Sequence, residues 1–464
     1  MPIKTAALIL AAGKGERMRS KQPKVLHQIC GEPMALWAIK AVRATGALPV
    51  LIVGYLADAV KQALGNDQIA YAMQHELLGT GDAVKAAKEF IVGTDYTIVT
   101  AGDMPLVREE TMCALQNKAI LENYDAVILT AVLNDPTGYG RIVRDETGAV
   151  TGIVEQKALT GNQAQICETN TSVYCFSSNL LLKALETLQP APLNNGEYLL
   201  TDAIAYIAKH GRVATLSLAD NEEGLGINNR VQLAQANAIM QKRTNEKHML
   251  AGVTILDPST TFIGGNVQIG MDTVIYPNNT ILGNTTIGED CVLHPGNRIV
   301  DGTIAHHAEI QNSTITGASV GAYTTVGPNA FLRPETIVGE HVRIGDFVEL
   351  KNAKIGDGTK ISHLTYVGDA VVGARCNLGC GVVFSNYDGY TKQVCVVEDD
   401  VFIGCNVNLI APVQLGSGSY IAAGSTVTRD VPKNALCIAR SRETIKEGWA
   451  LERRLKYFPK DQNF

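Results

Sequence analysis

The stretch TFIGGNVQIGMDTVIYPNNTILGNTTIGEDCVLHPGNRIV, Thr261–Val300, returns an apolar residue at every sixth position: Ile263, Ile269, Ile275, Ile281, Ile287, Leu293 and Ile299. After some five-residue steps the beat resumes as Val326, Leu332, Val338, Ile344 and Leu350, and ends as Ile403, Leu409, Leu415, Ile421 and Val427. A small residue usually stands two positions earlier, as in Thr261, Thr285, Ala330, Cys376 and Ser425. Helices repeat near 3.6 residues and strands at 2, so a strict six means short strands separated by tight turns. The expected form is a parallel β-helix with three hexads to each triangular coil, its coils stacked about 4.8 Å apart.

Upstream of Gly252 this pattern stops, and 464 residues exceed one ordinary core. We therefore expect residues 1–228 as one domain, 229–250 as a linker helix carrying Val231, Leu233, Ala238, Met240 and Met249, and 251–464 as the β-helix domain. The apolar run Ala6–Ala12 is too short for a signal peptide, and its cations, Lys14, Arg17 and Arg19, follow it. It reads as a buried first strand in a cytoplasmic protein. No stretch suits a membrane span, so no stable membrane association is expected. Net charge is −6 with scattered cations, which argues against nucleic acid as a partner. The ten cysteines show no C-x-x-C pair and read as free thiols.

In the first half, apolar strands alternate with helical stretches: PVLIVG at 49–54, IAYAM at 69–73 and YTIVTAGD at 96–103. Such alternation predicts an α/β domain, Rossmann-like, with a mainly parallel sheet whose ligands bind beyond the strands' carboxyl ends. LAAGKGERM, Leu10–Met18, leaves the first strand with glycines that let backbone N–H groups approach phosphate, and with cations beside them. It lacks the third glycine of a dinucleotide fingerprint and the G-K-[ST] of a P-loop. Alone, it is also what a turn into a helix needs. Gln74 follows a strand, and Gly79-Thr80 open a helix that can present N–H groups to a base or ribose. Asp103, in GDMP, either caps the next helix or holds Mg²⁺.

The string LAAGKGERM followed by Pro23-Lys24 resembles the signature of sugar-1-phosphate nucleotidyltransferases. That resemblance implies that Leu10, Ala11, Ala12 and Gly13 touch uracil and ribose, while Arg17 and Lys24 bind the triphosphate of UTP and stabilise transition-state charge. It implies Gly140, Glu155 and Asn170 as contacts to N-acetylglucosamine, and Asn228 in GINNR as completing a metal site with Asp103. Taken as lone polar residues in strands, Glu155 and Asn170 are also ordinary surface positions. Ala101 departs from the family, which often has an aromatic residue there.

Counting three repeats per coil puts Leu332, Leu350, Val367 and Phe384 on one corner, gathering Arg333, Lys351, Tyr366, Ser385 and Asn386 along an edge. His363 and Asn377 lie on the face leading to it, and the step breaks between Phe384 and Val397, where SNYDG and Lys392 must project as a loop. This edge suits a phosphorylated amino sugar: Arg333, Lys351 and Lys392 clamp phosphate, and His363 takes a proton from the ammonium. The repeat resembles the left-handed β-helix of hexapeptide acyltransferases, which usually form trimers. The left hand is implied by that resemblance alone, since strand crossovers generally favour the right.

With GDMP, GYGRI, NNR, SNYDG and IAAGSTVTRDVP in order, nearly the whole chain resembles the bifunctional bacterial enzymes that acetylate glucosamine 1-phosphate and then transfer uridylyl to the product. Their product feeds peptidoglycan and lipopolysaccharide synthesis. The resemblance implies a homotrimer using acetyl-CoA, UTP and Mg²⁺, and glucosamine 1-phosphate contacts from Arg333, Lys351, Tyr366, Asn377 and Lys392. It also implies acetyl-CoA contacts from Cys380, Asn386, Tyr387, Cys405, Ala423 and Arg440, with Cys380 and Cys405 standing where the family has Ala and Ser. The tail Glu443–Phe458 is expected as an amphipathic helix sealing the β-helix. Two other readings remain: a nucleotidyltransferase whose β-helix only trimerises it, and a regulatory scaffold without catalysis.

Overall fold

The computed structural model describes residues 3–65 and 68–458. Its contacts divide the chain into two units, one running through Lys247 with Phe262–Gly265, the other comprising His248–Thr261 and the chain from Asn266 onward.

In the first unit the strand Thr5–Leu10 pairs in parallel with Leu48–Val53 on one side and Tyr96–Ala101 on the other. Ala70–Met73 extends the sheet at one edge, while Glu168–Ser177, Ala126–Val132 and Val213–Ser217 extend it at the other. Along this path only Glu168–Ser177 runs antiparallel, so the sheet is mainly parallel. Successive residues of the first strand enter opposite cores, Ala7 and Ile9 one and Leu8 the other. A strand covered on both faces is apolar throughout, which is why it resembles a signal segment.

The helix Arg230–Leu250 is more than a linker. Its Ala236 and Met240 join a core cluster with Ile29, Met34 and Ile227, and Cys30 N–H donates to Asn237 Oδ1 at 2.8 Å. Arg243 donates to the Leu106 carbonyl at 2.7 Å. Val231 is 69% exposed and Leu250 90%, so the apolar residues along it do not share one buried face.

The second unit is a parallel β-helix. Its short strands stack into three ladders, such as Val274–Ile275 on Val292–Leu293 on Glu309–Ile310, Thr280–Leu282 on Arg298–Val300 and Gln268–Ile269 on Thr286–Ile287. The sixth-position residues are buried apart from Ile269, which is half-buried. The small slot two positions before them is buried as well, and its hydroxyls cap carbonyls of the neighbouring coil, as Thr273 does to Gly288 and Thr324 to Gly339, each at 2.8 Å. Most corners hold a residue with positive φ. Glycine, Asn or Asp supplies most of them, as in Asp272, Asp290, Asn278, Asn329 and Asn406, because these types tolerate the left-handed region best.

The tail corrects one expectation. Only Trp449–Tyr457 is helical, and it buries none of its residues. Ile445 is 80% exposed and Leu451 62%, so the segment seals nothing within this chain. Gly448, in the left-handed region, starts the helix late, and nine residues add too little apolar surface to pin it down.

Candidate active sites

The chain leaves the first strand with Ala11 N–H bonded to the Ile52 carbonyl at 2.9 Å. It then turns through Gly13-Lys14-Gly15 into the single 3₁₀ turn Glu16–Met18. Gly15 has φ +63, and a Cβ there would meet Lys24 Cβ at 2.6 Å, so no other residue fits; at Gly13 nothing lies within 4 Å. The first α-helix begins only at Met34. Without a helix start directly after the loop, an anion here is met by backbone N–H groups and cationic side chains.

Beyond the carboxyl ends of the strands lies a cavity of about 550 Å³. Leu10, Ala11, Ala12, Gly13, Lys24, Gln74, Gly79, Thr80, Asp103, Gly140, Glu155, Asn170 and Asn228 all line it. Arg17 stands at its edge, donating to Asn228 Oδ1 at 2.8 Å. Gln74 is buried and serves the wall, its amide donating to the Gly79 carbonyl at 3.1 Å and Asp82 Oδ2 at 2.8 Å. Thr80 Oγ1 accepts from Leu200 N–H at 3.0 Å.

At the loop end, Lys24 Nζ is bonded to the Asp103 carboxylate and lies 3.2 Å from Asn228 Oδ1. Asn228 arrives there because Ile227 N–H donates to the Asp103 carbonyl at 3.0 Å. One carboxylate and one amide oxygen, both hard donors, converge where an ammonium now satisfies them. That donor set fits Mg²⁺, which takes few protein oxygens and completes its shell with water and phosphate. Among the described residues no three His, Cys, Asp or Glu side chains converge, so a cage made by the protein alone is not on offer.

At the sugar end, Asn170 donates to the Tyr174 hydroxyl at 2.8 Å, and its backbone N–H to the Gly140 carbonyl at 2.9 Å. Burial pushes the Glu155 carboxyl's pKa up, and Thr201 Oγ1 donates to it at 3.0 Å. The sequence did not reveal Arg141, which is 2% exposed and donates to the Tyr139 carbonyl and, at 3.1 Å, to Gln156 Oε1. It fixes the Gly138–Gly140 turn in the cavity wall. An arginine in a short strand ordinarily reads as exposed, so only the adjacent GYG hinted at it.

On the β-helix, Leu332, Leu350 and Val367 stack in register as counted. Arg333 donates to Glu349 Oε1 at 3.0 Å. Asp369, which the sequence reading missed, ties the rest together. Lys351 Nζ lies 3.5 Å from it, Asn352 donates to it at 2.8 Å, and the Asn386 amide is bonded to it. Burial works to raise the Asp369 pKa, but the bonds from Asn352 and Asn386 and the charges of Lys351 and Lys392 prevail and hold it low. Contact with Lys351 pushes the Lys392 pKa down. Two adjacent ammonium groups, with Arg333 close by, make a place for a phosphate dianion.

Tyr366 and Asn386 crowd over Gly368, where a Cβ would not fit. The projecting loop is a small hairpin with Tyr387 bridging Lys392, braced by Asp388, which accepts from Tyr390 and Thr391 N–H at 2.8 and 2.6 Å. Tyr387 donates to the Gly389 carbonyl at 2.6 Å. Asn377 pairs with Lys360, at the start of the strand that ends in His363. It is on the sheet of His363, away from the Arg333 and Lys351 ladder.

His363 ends its strand at a corner, exposed, with Nδ1 2.5 Å from Asp346 Oδ1 in the preceding coil. That bond is the main reason the Asp346 carboxyl's pKa is low. Held so, the imidazole leaves Nε2 for proton transfer. The same corner in later coils carries Cys380, Cys405 and Ala423, each followed by a left-handed residue, Gly381, Asn406 and Gly424. Arg440 lies beside Gly424, its Cδ 3.5 Å from where a Cβ would stand. Of the expected acetyl-CoA contacts, Cys380, Cys405, Ala423 and Arg440 therefore run from the His363 corner towards the chain's last coil, while Asn386 and Tyr387 lie at the projecting loop.

Residues 7–168 match the MobA-like NTP transferase domain, 261–301 and 395–429 the bacterial transferase hexapeptide (six repeats), and 315–409 the GMPPB C-terminal domain. Among curated proteins, the "Bifunctional protein GlmU" of Clostridium beijerinckii is 47% identical, over 97% of this chain and 99% of its own length. That of Clostridioides difficile is 48% identical over 97% and 98%. That of Clostridium perfringens strain SM101 is 49% identical over 97% and 99%.

Proposed function

The chain belongs to the family of the bifunctional protein GlmU, and on that premise we propose that it makes UDP-N-acetylglucosamine by two transfers, one in each unit. On the β-helix, acetyl passes from acetyl-CoA to the amine of glucosamine 1-phosphate. In the first unit, a phosphate oxygen of N-acetylglucosamine 1-phosphate attacks the α-phosphorus of UTP and releases pyrophosphate.

The observation that carries the uridylyl reading is the meeting, in one cavity, of the glycine loop, Lys24, Asp103 and Asn228 with the Gly140, Glu155 and Asn170 wall. Arg17 and Lys24 move onto the triphosphate, where they offset negative charge. Asp103 and Asn228 hold Mg²⁺, which when bound neutralises phosphate charge during an in-line displacement. Gly140 leaves room for the sugar, and Glu155 and Asn170 bond its hydroxyl and amide groups.

For acetylation the supporting observations are the Asp346–His363 pair and, on the other sheet of the β-helix, the cationic edge around Asp369. Arg333, Lys351 and Lys392 hold the sugar phosphate, with Tyr366 and Asn386 around the ring and Asn377 contributing from the sheet that carries His363. His363 Nε2 takes a proton from the ammonium, so that the amine attacks the thioester. We place the enzyme in the cytoplasm as a homotrimer; among the described residues no helix is long and apolar enough to cross a membrane.

The deciding experiment supplies purified protein with glucosamine 1-phosphate, acetyl-CoA, UTP and Mg²⁺ and identifies products by mass. We expect UDP-N-acetylglucosamine, and N-acetylglucosamine 1-phosphate when UTP is left out. Product formed only from added N-acetylglucosamine 1-phosphate would reduce the β-helix to a scaffold.

A further inference from the structure

The corner that carries His363 holds two cysteines in consecutive coils. Before the corner Leu378 pairs with Ile403, and after it Val383 pairs with Asn408, the same offset on both sides. Between them Gly379 N–H donates to the Ile403 carbonyl and Asn406 N–H to the Cys380 carbonyl, both at 2.8 Å. No residue is inserted, so Cys380 and Cys405 are direct neighbours in the ladder. Ladder spacing places their Cα atoms about 4.8 Å apart, within the roughly 4.4–6.8 Å that a disulfide spans. Towards the other neighbour, Ile361 pairs with Leu378 and Tyr366 with Val383, again with equal offsets, so Cys380 also adjoins His363.

Accessibility separates this pair from three other β-helix thiols, and Cys437, half-buried beside Ile421, does not adjoin it in the ladder. Cys405 is exposed and Cys380 half-buried, whereas Cys291, Cys376 and Cys395 fill the inward slot. Burial pushes those three thiols up, to about 11 for Cys395, and keeps them unreactive.

We propose that Cys380 and Cys405 are a paired-thiol modification site, converted by low-molecular-weight disulfides into an intramolecular disulfide that blocks acetyl-CoA beside His363. The exchange balances without another oxidant. The Cys405 thiolate attacks one sulfur of the small disulfide, whose S–S bond breaks and whose first half leaves as a thiol. Cys380 then attacks the Cys405 sulfur of the mixed disulfide and expels the second half. Two protein thiols are oxidised, and one small disulfide is reduced to two thiols that carry away both protons. The blocking effect rests on the reading of this corner as the acetyl-CoA site; the thiol pairing itself does not.

The test incubates the reduced full-length protein with oxidised glutathione. It follows intact mass, maps cross-linked peptides and assays both transfers before and after dithiothreitol. A Cys380–Cys405 peptide, the loss of two hydrogens, loss of acetyl transfer with uridylyl transfer retained, and recovery with dithiothreitol are expected. Cys380→Ala should form no such peptide and stop at the Cys405–glutathione mixed disulfide, and Cys405→Ser should form no such peptide either. Separate glutathione adducts with no cross-linked peptide would overturn the pairing. A cross-link that leaves acetyl transfer intact would overturn the block. Reduced protein devoid of acetyl transfer would instead overturn the assignment of the corner, while the peptide map still decides the pair.

Discussion

Asp103→Ala should lower uridylyl transfer by about 10³-fold in kcat/KM, the scale on which losing one element of transition-state charge stabilisation acts, and leave acetyl transfer at its wild-type rate. The carboxylate sits just beyond the strand Tyr96–Ala101, at the rim of the cavity proposed for the nucleotide. Among the described residues it is the one carboxylate bonded to Lys24 there, and Asn228 offers only a neutral oxygen beside it. Alanine therefore removes the anionic half of the proposed metal site and also leaves the Lys24 ammonium without its counter-charge. Both side chains belong to the first unit, and the residues proposed for acetylation belong to the second. Pyrophosphate release follows the first activity, and the free thiol of CoA follows the second. If both fell together in protein with an unchanged melting profile, the division of labour between the units would be wrong.

The β-helix was legible because its repeat demands the same residue class at the same step for many coils, and chance does not sustain such a beat. The convergence of residues on the first unit's cavity was legible for a different reason. In a parallel sheet the residues after the strands converge on one rim, so Leu10–Gly13, Gln74 and Asp103 meet although they are far apart in sequence. What escaped notice were partners one coil away. Asp346 precedes His363 by seventeen residues, which is one turn of the spine; the same count leads from Asn352 to Asp369. Counting rungs for polar residues as well as for apolar ones would have found both. Arg141 escaped because a buried guanidinium needs carbonyl partners that only the folded turn supplies. The tail failed for a simpler physical reason. An amphipathic pattern describes a face, and nothing in the pattern says that this chain has a surface to receive it.

His363→Ala should reduce acetyl transfer by about 10³-fold, within the range ascribed to a lost general base, with uridylyl transfer unchanged. The argument depends on the tautomer. Nδ1 faces Asp346 at 2.5 Å, so it carries the proton there and Nε2 keeps the lone pair that an ammonium must meet. The Asp346 pKa is depressed by that same bond, so the carboxylate is present throughout the neutral range. Its hold is lost only as pH falls through the lowered folded value. Asp346→Asn should therefore cost about tenfold or more in kcat, as changes in partners that orient a histidine typically do, while KM for acetyl-CoA stays the same, because Asp346 positions the base without touching the thioester. A merely structural aspartate would change stability, or both constants together. Acetylation that survives in folded H363A would remove the imidazole from the chemistry and leave the cationic edge as a binding surface alone.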